Sequence, residues 1–62
     1  MTVGKIFEMG LARDNTEVFI RDGEFHVLAH GNWFQDHILE YKDYMVESFT
    51  WQDDEMLYID VK

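Results

Sequence analysis

The chain has 62 residues, and thirteen acidic residues against five Lys and Arg give it a formal net charge of −8. This length predicts one acidic domain over residues 1–62. The absence of cysteine excludes disulfides and Cys-based zinc sites, and no apolar run is long enough to span a membrane. Five scattered cations cannot neutralise a phosphate backbone, so we expect a basic protein partner and no direct nucleic-acid binding. The first residues lack the features of a signal peptide, which favours a cytoplasmic location.

The amino-terminal segment predicts a short strand and a turn. Gly4 and Gly10 bracket the β-prone residues 5–9. Residues 13–15, with the sequence Arg-Asp-Asn, are typical of a turn because Asp and Asn tolerate turn conformations.

A β-hairpin is the clearest local prediction. Asp22-Gly23 separates two β-prone runs, 16–21 and 24–29, which is typical of a two-residue type I′ turn. The resulting register pairs Ile20 with Phe25 and Val18 with Val27 on the core face, and Phe19 with His26 on the other face.

A helix over residues 33–44 follows. Asn32 and Gln35 approximate a capping box at its start. Apolar residues then recur at helical spacing, and an aromatic stripe adjoins them. Asp36 and Glu40 lie one turn apart and form an acidic ridge on the outer face. The apolar positions are Phe34, Ile38, Tyr41 and Met45, and the stripe is Trp33, His37, Tyr41 and Tyr44.

A second hairpin is predicted at the carboxyl end, with strands over residues 46–51 and 56–61. A three-residue loop pairs Trp51 with Leu57 and Phe49 with Ile59, and it avoids the repulsive pairing of Glu47 with Asp60. The alternative is a longer helix that reaches Ser48 and is followed by a single strand.

No group of residues indicates catalysis or a cofactor. The three histidines lack the spacing of a metal site, and the acidic turn Asp53-Asp54-Glu55 is expected to be a solvated turn without a catalytic role. The sequence contains no nucleophile or phosphate-loop signature. We therefore expect a protein that is not an enzyme and holds no metal or cofactor. The histidines are His26, His30 and His37.

The acidic residues are concentrated in the second half of the chain. Residues 32–62 carry eight acids and two bases, whereas residues 1–31 carry five acids and three bases. Such a charge run is often only a solvated face, but carboxylates on a rigid edge can also imitate DNA phosphates. Five Phe, three Tyr and two Trp exceed what so small a core can bury, so we expect a homodimer.

The order of these features resembles that of the short, acidic, dimeric uracil-DNA glycosylase inhibitors of small lytic phages. The shared order is strand, Asp-Gly turn, strand, Gly31, helix, acidic turn and final strand. The family carries Asp-aromatic-x-x-x-Tyr in its helix, and residues 36–41 read Asp-His-Ile-Leu-Glu-Tyr. His37 stands where the family has Phe, Val27 stands where it has an acidic residue, and segment 42–52 is longer than the family's connection.

The resemblance implies an inhibitor whose carboxylates occupy the DNA groove of the enzyme, in the host cytoplasm if a phage encodes it. Tyr41 and His37 would line a pocket that traps the apolar side chain with which the enzyme enters DNA. Asp36 and Glu40 would contact the groove, with Glu24 as a further acid. Helical spacing adds two neighbours to this set, Trp33 and Tyr44.

We therefore expect an α+β fold in which one helix packs on a face of a small antiparallel sheet, in a homodimer. The leading function is a DNA-mimicking inhibitor of uracil-DNA glycosylase. One alternative is a DNA mimic with another target, such as a restriction or CRISPR component. The other is a small acidic adaptor whose aromatic patch and strand edge bind a partner.

Overall fold

A computed structural model describes residues 1–53 and 55–62 and shows an α+β fold with a four-stranded sheet in the order β2-β1-β4-β3. The two hairpins are antiparallel, but β1 and β4 pair in parallel. The expectation of an antiparallel sheet with one helix is therefore wrong, because the sheet is mixed and two short helices are present. The elements are α1 (Val3–Glu8), β1 (Glu17–Arg21), β2 (Val27–Gly31), α2 (Asp36–Leu39), β3 (Val46–Asp53) and β4 (Met56–Val61).

The aliphatic core lies between the helices and one face of the sheet. Alternate residues of the central strands β1 and β4 are buried, as the two-residue period of a strand requires. Val3 and Ile6 of α1 and Ile38 of α2 join this cluster. No helix of the described residues covers the opposite face. The buried strand residues are Val18, Ile20, Leu57, Ile59 and Val61.

The predicted strand over residues 5–9 is wrong, since this segment belongs to α1. Thr2 caps the helix, and its Oγ1 accepts a hydrogen bond from the backbone N–H of Lys5 at 3.3 Å. The buried residues Val3 and Ile6 are three apart, which is a helical spacing. The turn predicted at residues 13–15 is confirmed by a 3.0 Å bond from the Thr16 N–H to the Arg13 carbonyl.

The first hairpin exists, but its predicted register is wrong. The N–H of Asp22 bonds to the His26 carbonyl, and Phe25 has a φ of 67°. The loop is therefore a three-residue type with a left-handed last position. Of the four side chains predicted to enter the core, Val18 and Ile20 are buried, but Phe25 and Val27 are 66% and 50% exposed.

The side chain of Asp22 explains this wider loop. Its Oδ1 accepts hydrogen bonds from the N–H groups of Glu24 and His26, at 2.8 and 3.0 Å. A two-residue turn does not provide these bonds. Farther along the strands, the wider loop and a bulge between Ile20 and Arg21 together pair Phe19 with His30 instead of His26.

The predicted helix over residues 33–44 is much shorter in the structure. Gln35 has an extended backbone and precedes the four helical residues of α2, and turns follow to Tyr44. The Asn32 side chain does not cap the helix, because it donates to the carbonyls of Asp14 and Thr16. Half of the capping box forms, since the Asn32 N–H donates to Gln35 Oε1 at 2.7 Å.

In the second hairpin the predicted pairs are confirmed, but the predicted three-residue loop is wrong, because β3 continues to Asp53 and Asp53 pairs with Met56. Trp51 pairs with Leu57 and Phe49 pairs with Ile59. The alternative of a helix that reaches Ser48 is wrong, because β3 begins at Val46. Of the predicted acidic turn, Asp54 lies outside the described residues.

Candidate interaction surface

Exposed carboxylates follow the chain from α2 to the turn after β3. In the part of the chain that the structure describes, one ion pair joins a carboxylate to a Lys or Arg, and it links Asp60 to Arg21. The other acidic residues that the structure describes in the second half are exposed and have no such partner. Their negative potential is therefore not neutralised locally. They are Asp36, Glu40, Asp43, Glu47, Asp53 and Glu55.

The predicted ridge on α2 forms despite the short helix. Asp36 lies in the first turn and Glu40 is the C-cap residue. The Glu40 N–H donates to the Asp36 carbonyl at 3.0 Å, so the two exposed residues are one helical turn apart. The backbone of this turn holds both carboxylates on a defined element.

His37 and Tyr41 contact different parts of the protein. The Nε2 of His37 lies 2.7 Å from the His30 carbonyl oxygen and links α2 to β2. The ring of Tyr41 is half-buried and packs on that of Tyr44, with 4.9 Å between the ring centres. The described contacts of His37 and Tyr41 are therefore different, and the pocket that the family resemblance implies at a dimer interface stays a prediction.

Gly31 permits this contact between α2 and the sheet. A Cβ at this position would collide with Gln35 Oε1 and His37 Nε2. Its φ of 151° is also unfavourable for residues with a side chain. The link between α2 and β2 therefore depends on a glycine.

Trp33 belongs to a third group of side chains. Its indole N–H donates to Asp14 Oδ1 at 3.1 Å. Its ring lies 6.2 Å from that of Phe7 and 5.8 Å from that of Phe34. The remaining predicted residue, Glu24, is exposed in the β1–β2 loop.

Trp33 also lines a groove between α1 and the segment after α2, with a volume of about 510 Å³. Phe7 and Leu39 supply further apolar surface, and charged residues of both signs lie around them. Sequence reasoning missed this groove because it assigned the α1 segment to a strand. A helical period in Val3, Ile6 and Phe7 was the available signal. The charged residues are Lys5, Glu8, Lys42 and Asp43.

The uncovered face of the sheet carries a stack of flat side chains. The rings of Phe19 and Tyr58 lie 4.6 Å apart and nearly parallel, and His30 stacks beyond Phe19 at 5.6 Å. The guanidinium group of Arg21 lies 4.6 Å from the Tyr58 ring centre and 4.9 Å from that of Phe25. This stack encloses the charged side chain of Arg21.

Asp60 completes this face. Its Oδ1 and Oδ2 accept bonds from Nε and Nη2 of Arg21, at 2.7 and 3.2 Å, and Ser48 Oγ donates to Oδ2 at 3.1 Å. Asp60 is only 6% exposed although no helix covers it. Sequence reasoning did not select these residues, and period-two alternation opposite the core was the signal for them.

Each histidine bonds to a group of the protein. His26 lies 3.1 Å from Asp22, and His30 lies 3.0 Å from Glu17. Within residues 1–53 and 55–62, no three His, Asp or Glu side chains are grouped as metal ligands. The described helices are too short to cross a membrane. Comparison of the chain with protein-family models, curated proteins and solved structures finds no match.

Proposed function

We propose that this protein is an inhibitor that occupies the DNA-binding groove of an enzyme, with uracil-DNA glycosylase as the first target to test. The observation that carries the proposal is the series of exposed carboxylates, without Lys or Arg partners among the described residues, on α2, β3 and the turns beside them. A DNA-binding groove is basic because it must neutralise phosphates. The target itself comes from the sequence resemblance.

The fold supports binding by the carboxylates on α2. A partner that binds Asp36 and Glu40 finds them on a formed helical turn, so little backbone freedom is lost on association. Their negative charge, which no ion pair with Lys or Arg neutralises among the described residues, attracts a basic groove and raises the association rate. The effect falls as salt rises, because the Debye length is only about 8 Å at physiological ionic strength.

The aromatic part of the proposed surface is the Tyr41–Tyr44 pair. These rings alternate along the chain with Glu40 and Asp43, so apolar and acidic groups lie together. Aromatic residues of this kind often dominate binding energy. In this proposal the contact of His37 with the His30 carbonyl positions α2 on β2, and the place of His37 in the pocket stays a prediction.

The protein acts as a homodimer in this proposal. Exposed apolar side chains at the β1–β2 end of the sheet support the pairing, since Phe25, Val27 and Leu28 all contact solvent in the single chain. A second copy that covers them would reduce the apolar surface in contact with water.

Binding to glycosylase in stopped-flow experiments tests the ridge. Asp36→Lys should slow association at low salt by about tenfold, because it reverses charge at the proposed contact. The matched control is Glu8→Lys on α1, which changes the net charge equally and should slow association much less. Equal effects of the two variants would remove the ridge from the mechanism.

Calorimetry tests the aromatic pair. Tyr41→Ala should weaken glycosylase binding by about 2 kcal/mol, as truncation of an interface hot spot does. Phe34→Ala, which removes an exposed ring outside the pair, is the control and should have a smaller effect. Wild-type affinity in Tyr41→Ala would reject the aromatic contact.

An adaptor role is the second candidate, and the exposed apolar residues at the β1–β2 end favour it. The dependence of binding affinity on salt concentration distinguishes the two functions. Binding by a DNA mimic should weaken strongly between low and physiological salt, whereas apolar contact is nearly insensitive to salt over this range.

A further inference from the structure

The strand β3 forms an open edge of the sheet. It is the last strand in the order β2-β1-β4-β3, and seven of its eight residues are exposed. Its central residues 48–51 pair regularly with β4, between irregularities at each end. In such a strand, alternate residues direct their N–H and C=O groups away from the neighbouring strand. These groups are a template for one more strand.

The start of this edge already pairs with another segment of the chain. Thr2 and Met45 form an antiparallel bridge, and the Val46 N–H donates to the Met1 carbonyl at 2.8 Å. The outer edge is therefore able to form backbone hydrogen bonds in this geometry. Beyond Val46, no strand of the described residues pairs with the outer side of β3, the side away from β4.

The opposite edge of the sheet is less open. On β2, the carbonyl of His30 contacts His37, and α2 packs closely at Gly31. A new strand on β2 would have to displace α2. The two edges therefore differ in access, and β3 is the accessible one.

The side chains of β3 identify the kind of segment that fits. The aromatic residues Phe49 and Trp51 alternate with small polar residues along the strand. They are 40% and 41% exposed. Acidic residues lie toward the ends, and the strand contains no Lys or Arg. A segment with alternating apolar and basic side chains would match both the apolar positions and the charge. The acids are Glu47 and Asp53 in β3 and Glu55 in the turn after it.

A second copy of the chain fits this edge poorly. An antiparallel copy centred on Thr50 would set Glu47 opposite Asp53 at two places. Like charges at opposed positions destabilise strand pairing. Acidic residues on an edge are a known means of preventing self-association.

We propose that β3 binds an extended, basic segment of a partner protein as a fifth strand of the sheet. Backbone hydrogen bonds to the edge supply affinity, Phe49 and Trp51 contact alternate apolar side chains, and the carboxylates select basic residues. The proposal stands apart from the inhibitor function, since it concerns β3 and requires no enzyme.

A capped nine-residue peptide of alternating lysine and valine is the probe. Titration into isotope-labelled protein should shift the backbone amide signals of residues 48–51 more than those of β2, and should slow their hydrogen exchange. A peptide with glutamate in place of lysine should bind at least tenfold more weakly. Shifts concentrated on β2 or on the helices would overturn the proposal.

Two N-methylated forms of the peptide test backbone pairing. One form carries methyl groups on the backbone nitrogens of the lysine residues, and the other carries them on the backbone nitrogens of the valine residues. A strand directs alternate N–H groups to opposite sides, so only one form can keep its bonds to β3. We expect the two affinities to differ at least tenfold, and equal affinities would contradict strand addition.

Charge selection is tested with Glu47→Lys, which should weaken binding of the lysine peptide at least threefold. Glu8→Lys on α1 is the matched control and should change it less than twofold. Equal weakening by the two variants would show that the net charge of the protein, and not a contact at β3, attracts the peptide. That result would overturn the proposed role of β3. Protection of residues 48–51 that rises with protein concentration, without peptide, would assign the edge to a second copy instead.

Discussion

The two faces of the sheet are stabilised by different chemistry. On the helix-covered face, aliphatic residues such as Ile20 and Ile59 are fully buried in a core shared with α1 and α2. On the uncovered face, Arg21 is enclosed by aromatic rings and bonded to Asp60. A chain this small has too few helices to cover both faces, and here planar and charged side chains shield each other from solvent.

The largest expected effect lies on the covered face. Ile59→Ala should lower the free energy of unfolding by about 3 kcal/mol, because it removes a fully buried side chain and leaves a cavity. Urea denaturation followed by circular dichroism measures this change. Thr50→Ala on exposed β3 is the control, expected within about 0.5 kcal/mol of wild type. A loss below 1 kcal/mol in Ile59→Ala would show that the core is loosely packed.

The uncovered face should respond to the loss of its ion pair. Asp60→Ala should destabilise the fold by about 2 kcal/mol, since it leaves the guanidinium group of Arg21 partly buried without a carboxylate. The figure is below that of a fully buried pair because Arg21 retains some exposure. The double variant Arg21→Leu/Asp60→Leu should be less destabilised than Asp60→Ala. If it is more destabilised, the pair stabilises the fold beyond its own desolvation cost.

The contact between α2 and β2 depends on Gly31. Gly31→Ala should cost about 1–2 kcal/mol, because the new Cβ collides with Gln35 and His37 and the backbone conformation is strained. Gly23→Ala is the matched control, because nothing lies within 4 Å of a Cβ there. Thermal unfolding compares the two variants. Equal stability would mean that α2 moves away from β2 without cost.

The smallest effect is a dependence on pH in the β1–β2 loop. Hydrogen bonds from the His26 and Glu24 N–H groups lower the pKa of Asp22 below its ordinary value. The carboxylate therefore stabilises the folded loop fully above the ordinary pKa of Asp, and this stabilisation is lost as the pH falls through the lowered pKa. The amide signals of Glu24 and His26 should titrate together in acid. Asp22→Asn should abolish that titration, and its persistence would assign the effect to another group.

The two hairpins show what could be predicted from the sequence. For β3 and β4, the apolar alternation and the repulsion between Glu47 and Asp60 select one register, and the structure has it. For β1 and β2, Asp22-Gly23 suggested the shortest turn, but the Asp22 carboxylate organises a longer one. Val27 pairs with Arg21 in place of the predicted Val18, which is a shift of three residues. An odd shift transfers side chains to the other face, and Phe25 covers Arg21 in place of the core.

The candidate site was predictable only where local spacing decides the position of a side chain. The exposed positions of Asp36 and Glu40 follow from i, i+4 spacing, which requires only one helical turn. The contact of His37 could not be predicted in this way. The bond from His37 to the His30 carbonyl, which a sequence pattern does not reveal, places His37 against the sheet.

Uracil excision from single-stranded DNA by purified glycosylase, with increasing amounts of this protein, tests the central claim most directly. Our account predicts stoichiometric loss of cleavage at about two chains per enzyme, as expected of a dimer that occupies the groove. Undiminished cleavage at a large excess of the protein would contradict the proposed target.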